Sequence, residues 1–144
     1  MDKRRHREAG YTLVEVMVVM LILSLIVGFV AVNFIPIGDR AKQQTARVDI
    51  ATYEGALDQY KLDMGEYPSE AEGLDALTQL PGGSDKAAFY RPGGYIKRVK
   101  PDPWGNPYVY RYPGENGLVD IISYGSDGEP GGDGFARDIV SWEN

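Results

Sequence analysis

Gly10-Tyr11-Thr12-Leu13-Val14-Glu15-Val16-Met17-Val18-Val19-Met20 runs without interruption into Leu21-Ile22-Leu23-Ser24-Leu25-Ile26-Val27-Gly28-Phe29-Val30-Ala31-Val32. From Leu13 to Ile35 the only charged residue is Glu15, and a run of that length crosses the roughly 30 Å hydrocarbon core as one helix. The chain therefore reads first as a membrane protein. A carboxylate in such a helix costs on the order of 2.5–3.5 kcal/mol on insertion scales. Glu15 then either sits at the interface or has a cationic partner, and the apolar run itself contains no Lys or Arg. Cutting the chain after Gly10 would create a cation, because the new Tyr11 ammonium of one copy can pair with Glu15 of the next. That second reading requires both processing and assembly.

Gly10 followed by Tyr11-Thr12-Leu13-Val14-Glu15 and a long apolar helix resembles the leader and first helix of type IV pilins and type II secretion pseudopilins. The resemblance implies that a prepilin peptidase cuts after Gly10, that Tyr11 becomes the N-methylated terminus, and that Glu15 guides subunit assembly. The family usually has Phe where Tyr11 stands; the ring is kept and a hydroxyl is added.

The remaining composition narrows the possibilities. With the first third of 144 residues spent on the leader and the apolar run, there is room for one small soluble domain. The formal charge is −6, and removing residues 1–10 takes away four basic and two acidic side chains, leaving −8. An acidic body argues against nucleic acid as a partner. Cysteine is absent and the only histidine is His6, in the leader. Disulfides, thiolate nucleophiles and zinc-thiolate sites are thereby excluded, and most nucleophile-and-base arrangements go with them, which points away from an enzyme. Lys3, Arg4, Arg5 and Arg7 stand just before the apolar run and the chain beyond Ile35 is net acidic. By the positive-inside tendency the leader stays in the cytoplasm and the C-terminal head is exported.

Pro36 lacks an amide hydrogen and is expected to kink or loosen the helix near the outer membrane surface. Beyond it, Ala46, Ile50, Tyr53, Leu57 and Tyr60 recur at three- and four-residue steps, which predicts a helix over 41–62 with one apolar face. Continuous helix from near Tyr11 to Leu62 would measure about 78 Å. Gly55 inside it marks either a close backbone approach or a plain stability cost. Gly65-Glu66-Tyr67-Pro68 stops the helix, and Ser69 with Glu72 three residues on predicts a capped short helix to Leu77. Loops at 81–85 and 91–94 precede three strand-like runs, 108–112, 118–124 and 138–142, the first two joined by the turn-rich Pro113-Gly114-Glu115-Asn116-Gly117. The fold class is therefore α+β, a long N-terminal helix on a small three-stranded antiparallel sheet.

Leu57-Asp58-Gln59-Tyr60-Lys61-Leu62-Asp63-Met64-Gly65-Glu66-Tyr67-Pro68, then Glu72-Gly73-Leu74-Asp75-Ala76-Leu77, Gly94-Tyr95-Ile96-Lys97, Asp102-Pro103-Trp104-Gly105-Asn106-Pro107-Tyr108 and Ser126-Asp127-Gly128 resemble, in order, the major pseudopilins of type II secretion. The resemblance covers nearly the whole chain. It implies a subunit anchored in the bacterial inner membrane with a periplasmic head at 36–144 and a filament-core helix at 11–35. It also implies polymerisation with copies of itself, contact with minor pseudopilins and an inner-membrane assembly platform, and a filament that drives folded proteins across the outer membrane. A minor pseudopilin or type IV pilin is the alternative among filaments. A membrane-anchored calcium-binding adhesion module that never polymerises is the alternative outside them.

One further stretch carries chemistry. Residues 124–138, Tyr-Gly-Ser-Asp-Gly-Glu-Pro-Gly-Gly-Asp-Gly-Phe-Ala-Arg-Asp, combine five glycines and a proline with recurring carboxylates. Hard oxygen ligands in such a loop suit calcium, while a solvated acidic turn is the plainer reading. The spacing is not that of an EF-hand. The resemblance favours Ca2+: it implies side-chain ligands from Asp127 and Asp138 and backbone oxygens from Tyr124 and Glu129. The family commonly carries another acid just before the final aspartate, where Ala136 and Arg137 stand here; Asp133 is the candidate replacement.

Overall fold

The computed structural model describes residues 11–143, without the side chains of 31–37. The chain falls into two units, one ending at Gly38 and the other beginning at Asp39. One helix, α1 (Leu13–Met64, 52 residues), contributes to both.

In the first unit, Leu13–Val30 has a mean hydropathy of 2.8 and none of it is buried. Its start is organised by Thr12, whose Oγ1 accepts the Glu15 amide at 3.2 Å and whose carbonyl accepts the Val16 amide. This N-cap satisfies a donor that helix geometry leaves free. Ser24, the hydroxyl in the apolar run, donates to the Met20 carbonyl at 2.8 Å, so its polar hydrogen is spent inside the helix. α1 continues past Pro36, which therefore does not end it.

In the second unit the predicted apolar stripe is the core. Ala46, Ile50, Tyr53, Leu57 and Tyr60 are buried, and Met64 extends the series because the helix runs two residues further than the spacing predicted. The C-terminus of α1 is held by Lys86, whose Nζ donates to the Met64 carbonyl at 3.1 Å and to Glu66 at 2.8 Å, a cation at the negative end of the helix. Nothing lies within 4 Å of a Cβ built on Gly55, so no close approach within the chain explains that glycine.

The predicted short helix from Ser69 to Leu77 is corrected in part. The reciprocal cap forms: the Glu72 carboxylate accepts the Ser69 amide at 2.7 Å and the Ser69 hydroxyl accepts the Glu72 amide at 3.4 Å. The backbone then makes a turn, and only afterwards a 3-10 segment, Leu74–Leu77. Gly73, at φ 60° and ψ −162°, breaks the helical backbone between them, which only glycine does without strain. Leu74 and Leu77 still reach the core.

The sheet consists of β1 (Val109–Arg111), β2 (Asp120–Ser123) and β3 (Ile139–Val140), antiparallel in the order β1-β2-β3. Tyr110 faces Ile121 and Ile122 faces Val140 across the ladders. Each strand is shorter than its sequence run. At the end of β3 the Ser141 hydroxyl accepts the Ile121 amide at 3.1 Å, and the chain turns into a 3-10 segment, Ser141–Glu143.

Aromatic rings join these pieces to α1. Tyr53 packs edge-on against Tyr108 at 5.3 Å, and Tyr95 meets Tyr60 and Tyr90 at 5.4 and 5.3 Å. Three tyrosine hydroxyls add polar links: Tyr110 donates to the Pro68 carbonyl at 2.8 Å, Tyr90 to the Ala76 carbonyl at 2.9 Å, and Tyr67 to Asp58 at 2.7 Å. A small core without cysteine thus gains both apolar area and fixed polar links from the same side chains.

Candidate functional site

The processing residue Gly10 lies outside the described residues. Tyr11 is 83% exposed. Glu15 is exposed in the first turn of α1, where the unpaired amides of the helix start favour a carboxylate. Among the described residues it forms no ion pair. One signal for this arrangement was present in the sequence and missed: Thr12-Leu13-Val14-Glu15 has the spacing of a capping box. Glu15 is therefore placed by its own helix terminus, with its side chain exposed.

The loop from Tyr124 to Asp138 leaves the end of β2 and returns to the start of β3, so the sheet holds its two ends together. At Gly125, with φ 63°, a Cβ would fall 2.8 Å from the carbonyl oxygens of both Ala136 and Arg137. The outgoing and returning arms touch there, and a side chain would force them apart. The arms are also tied lower down, where the Gly131 amide donates to Asp138 Oδ2 at 2.9 Å and the Asp138 amide donates to the Gly131 carbonyl at 3.2 Å. Gln43 of α1 reaches the loop from outside, donating from Nε2 to the Gly134 carbonyl at 2.9 Å.

The five candidate ligands separate within this frame. Asp127 is exposed and its Oδ1 accepts the Glu129 amide at 3.2 Å. The Tyr124 carbonyl accepts the Gly128 amide at 3.2 Å. Glu129 and Asp133 are exposed, and the Asp133 carbonyl accepts the Ala136 amide at 3.1 Å. Among the described residues no three acidic or histidine side chains gather in a metal-holding group. Asp138 differs from the others: its Oδ1 is buried and has no hydrogen-bond partner. A buried carboxylate oxygen without a donor costs free energy unless a cation fills the place. Arg137 does not fill it, because its guanidinium is paired with Glu143 at 2.7 Å. The donors present are all hard oxygens, the type that calcium takes. The residues fit such an ion on chemistry, and Asp138 is the one whose oxygen is buried.

Two buried carboxylates escaped the sequence reading. Asp120 is fully buried and accepts the backbone amides of Glu115, Asn116 and Gly117 at 2.7, 3.0 and 3.0 Å. Burial pushes its carboxyl up, but the amides of Asn116, Glu115 and Gly117 outweigh this and hold it below the usual range. Asp102, 3% exposed, accepts the amides of Trp104 and Asn106 and the hydroxyl of Ser123. Both aspartates stand close to Gly, Asn or Pro in sequence, the composition of a turn whose side chain bonds its own backbone.

Residues 33–142 match the family described as type II secretion system protein G. The chain belongs to that family. Residues 5–31 also match the prokaryotic N-terminal methylation motif. The chain is 45% identical to the type II secretion system core protein G of Vibrio cholerae, over 97% of this chain and 95% of that one. It is 47% identical to the core protein G of Aeromonas hydrophila, over 96% and 95%. Among solved structures, the major pseudopilin from the type 2 secretion system of enterohaemorrhagic Escherichia coli superposes with a TM-score of 0.66 at 37% identity, over 78% of this chain and 96% of that one. The protein G family is one of structural pseudopilins. Its fold, a long N-terminal helix with a small antiparallel sheet, is the one described here.

Proposed function

We propose that this chain is the major subunit of a type II secretion pseudopilus, cut after Gly10 by a prepilin peptidase, N-methylated at Tyr11, and polymerised with copies of itself. The observation that carries the reading is an unburied apolar helix whose first turn presents an exposed Glu15 with no ion pair among the described residues. In a filament the Tyr11 ammonium of a neighbour supplies the missing charge, and burial of apolar helix surface supplies most of the cohesion. The head then lies in the periplasm, the helix in the inner membrane, and minor pseudopilins and an inner-membrane platform are the further partners. Growth of such a filament would push folded proteins outward.

Glu15→Ala tests this directly. The variant is expected to remain membrane-inserted and to form no filaments; wild-type filament yield in sheared fractions would refute the pairing. An intact mass that still includes residues 1–10 would refute the processing step and favour the non-polymerising anchor.

Within the same proposal the 124–138 loop binds calcium, with Asp138 and Asp127 as carboxylate ligands, the Tyr124 and Glu129 carbonyls beside them, and Asp133 in place of the acid missing at 136 and 137. Calcium would supply the divalent charge that Asp138 Oδ1 lacks, tying together the arms of a small head. Asp138→Asn is expected to abolish any rise in melting temperature on adding calcium. Equal melts with calcium and with chelator in the wild type would refute the metal.

A further inference from the structure

Ser123 is the last residue of β2 and stands immediately before the loop. It is completely buried, and its hydroxyl donates to Asp102 Oδ2 at 2.6 Å. The Ser123 hydroxyl oxygen in turn accepts the Gly125 amide at 3.4 Å. That amide belongs to the peptide unit whose other end is the Tyr124 carbonyl. The unit is trans, so its N–H and C=O point to opposite sides. Holding the hydrogen against Ser123 therefore aims the Tyr124 oxygen away from that hydroxyl, towards the Gly128 amide it accepts.

Asp102 is in turn fixed from outside the loop. Its Oδ1 takes the Trp104 and Asn106 amides at 3.0 and 2.8 Å, and its own amide donates to the Asn106 carbonyl at 2.7 Å. The turn so formed sets the Asn106 side chain against the loop, where a Cβ on Gly128 would lie 3.2 Å from its Nδ2. The turn thus touches the loop at both ends of the 125–128 segment, once through Ser123 and once through Asn106.

We infer that the buried Asp102–Ser123 pair is a positioning device for the calcium loop, orienting the Tyr124 carbonyl through the Gly125 amide from a turn that contributes no ligand itself. The inference rests on calcium binding by the 124–138 loop. Gly125 is also where the Ala136 and Arg137 carbonyls meet the outgoing arm, so a rotation of this one peptide displaces the segment that carries Asp138.

The test uses the mature full-length chain in detergent, titrated with calcium chloride by calorimetry and melted in calcium and in chelator. Ser123→Ala and Asp102→Asn are the variants. Loss of one buried hydrogen bond at this point is expected to weaken calcium binding about tenfold, and to shrink the calcium-dependent rise in melting temperature. A role confined to packing would lower both melts in step and leave the calcium dissociation constant at the wild-type value; that result overturns the inference while leaving the metal site standing. A wild-type chain indifferent to calcium overturns both. Hydrogen exchange on the chelated wild type gives a check without any variant. The Gly125 amide is expected to exchange slowly, and exchange as fast as at Asp127 or Asp133 would overturn the relay.

Discussion

Asp120→Asn removes a charge from a fully buried site while keeping its shape, and the structure sets the size of the effect. Oδ2 takes the Glu115 amide at 2.7 Å, the Asn116 amide at 3.0 Å and Asn116 Nδ2 at 3.2 Å, while Oδ1 takes the Gly117 amide at 3.0 Å. Either orientation of the new side-chain amide turns an NH2 towards at least one backbone N–H. Losing one charge-assisted bond and stranding its donor together cost about 3 kcal/mol. For a head of roughly 100 residues this lowers the melting temperature by about 10–20 °C. Near-UV circular dichroism of the mature chain reads the transition through its tyrosines, with the exposed Asp85→Asn as control. The pH dependence has a definite sign. Asp120 is held below its usual range when folded, so its contribution is complete above the unfolded value of about 3.9 and fades as pH falls through the folded value. The variant should lack that acid-sensitive component. A melt within about 2 °C of wild type at neutral pH would show that the hairpin does not depend on this carboxylate.

Gly55→Ala should stabilise the isolated subunit by about 1 kcal/mol, because the position is mid-helix and a methyl meets nothing within 4 Å. If filaments are lost while the melting temperature rises, the glycine serves a neighbouring copy; a fall in melting temperature would contradict the geometry. In alkali, burial first, then nearby Glu72 and Asp58 respectively, push the Tyr60 and Tyr67 phenols up to about 12. Their folded values exceed the unfolded value of about 10, so this stability is complete below pH 10 and lost as pH rises towards 12. Absorbance at 295 nm should therefore show part of the tyrosine ionisation delayed until the head unfolds, and a single unperturbed titration would refute the packing of these rings.

Much of the head was legible because its periodicity is strong. The spacing of Ala46, Ile50, Tyr53, Leu57 and Tyr60 named the buried face, and the three apolar runs named the strands in their correct order. Elements shaped by a single residue were harder to read. Gly73 turns a well-capped helix start into a 3-10 segment through one positive φ, and pattern counting does not register such a switch. The Ser141 hydroxyl takes the Ile121 amide at the end of β3, a decision made by a side chain twenty residues away in sequence. At the candidate metal loop the acidic composition singled out a segment without ranking its members. Only the fold separates Asp138, with a buried and donorless oxygen, from the exposed Asp127 and Asp133. Asp102 and Ser123 are far apart along the chain and carry no local sign that they meet.

The small sheet has two open borders, a three-residue β1 and a two-residue β3, with Pro107 and Pro113 flanking the first. A chain that packs against copies of itself, as proposed above, risks templating cross-β fibrils along any exposed border. Borders this brief offer too few consecutive amides to seed them. Short strands thus leave the head little backbone through which copies could pair edge to edge.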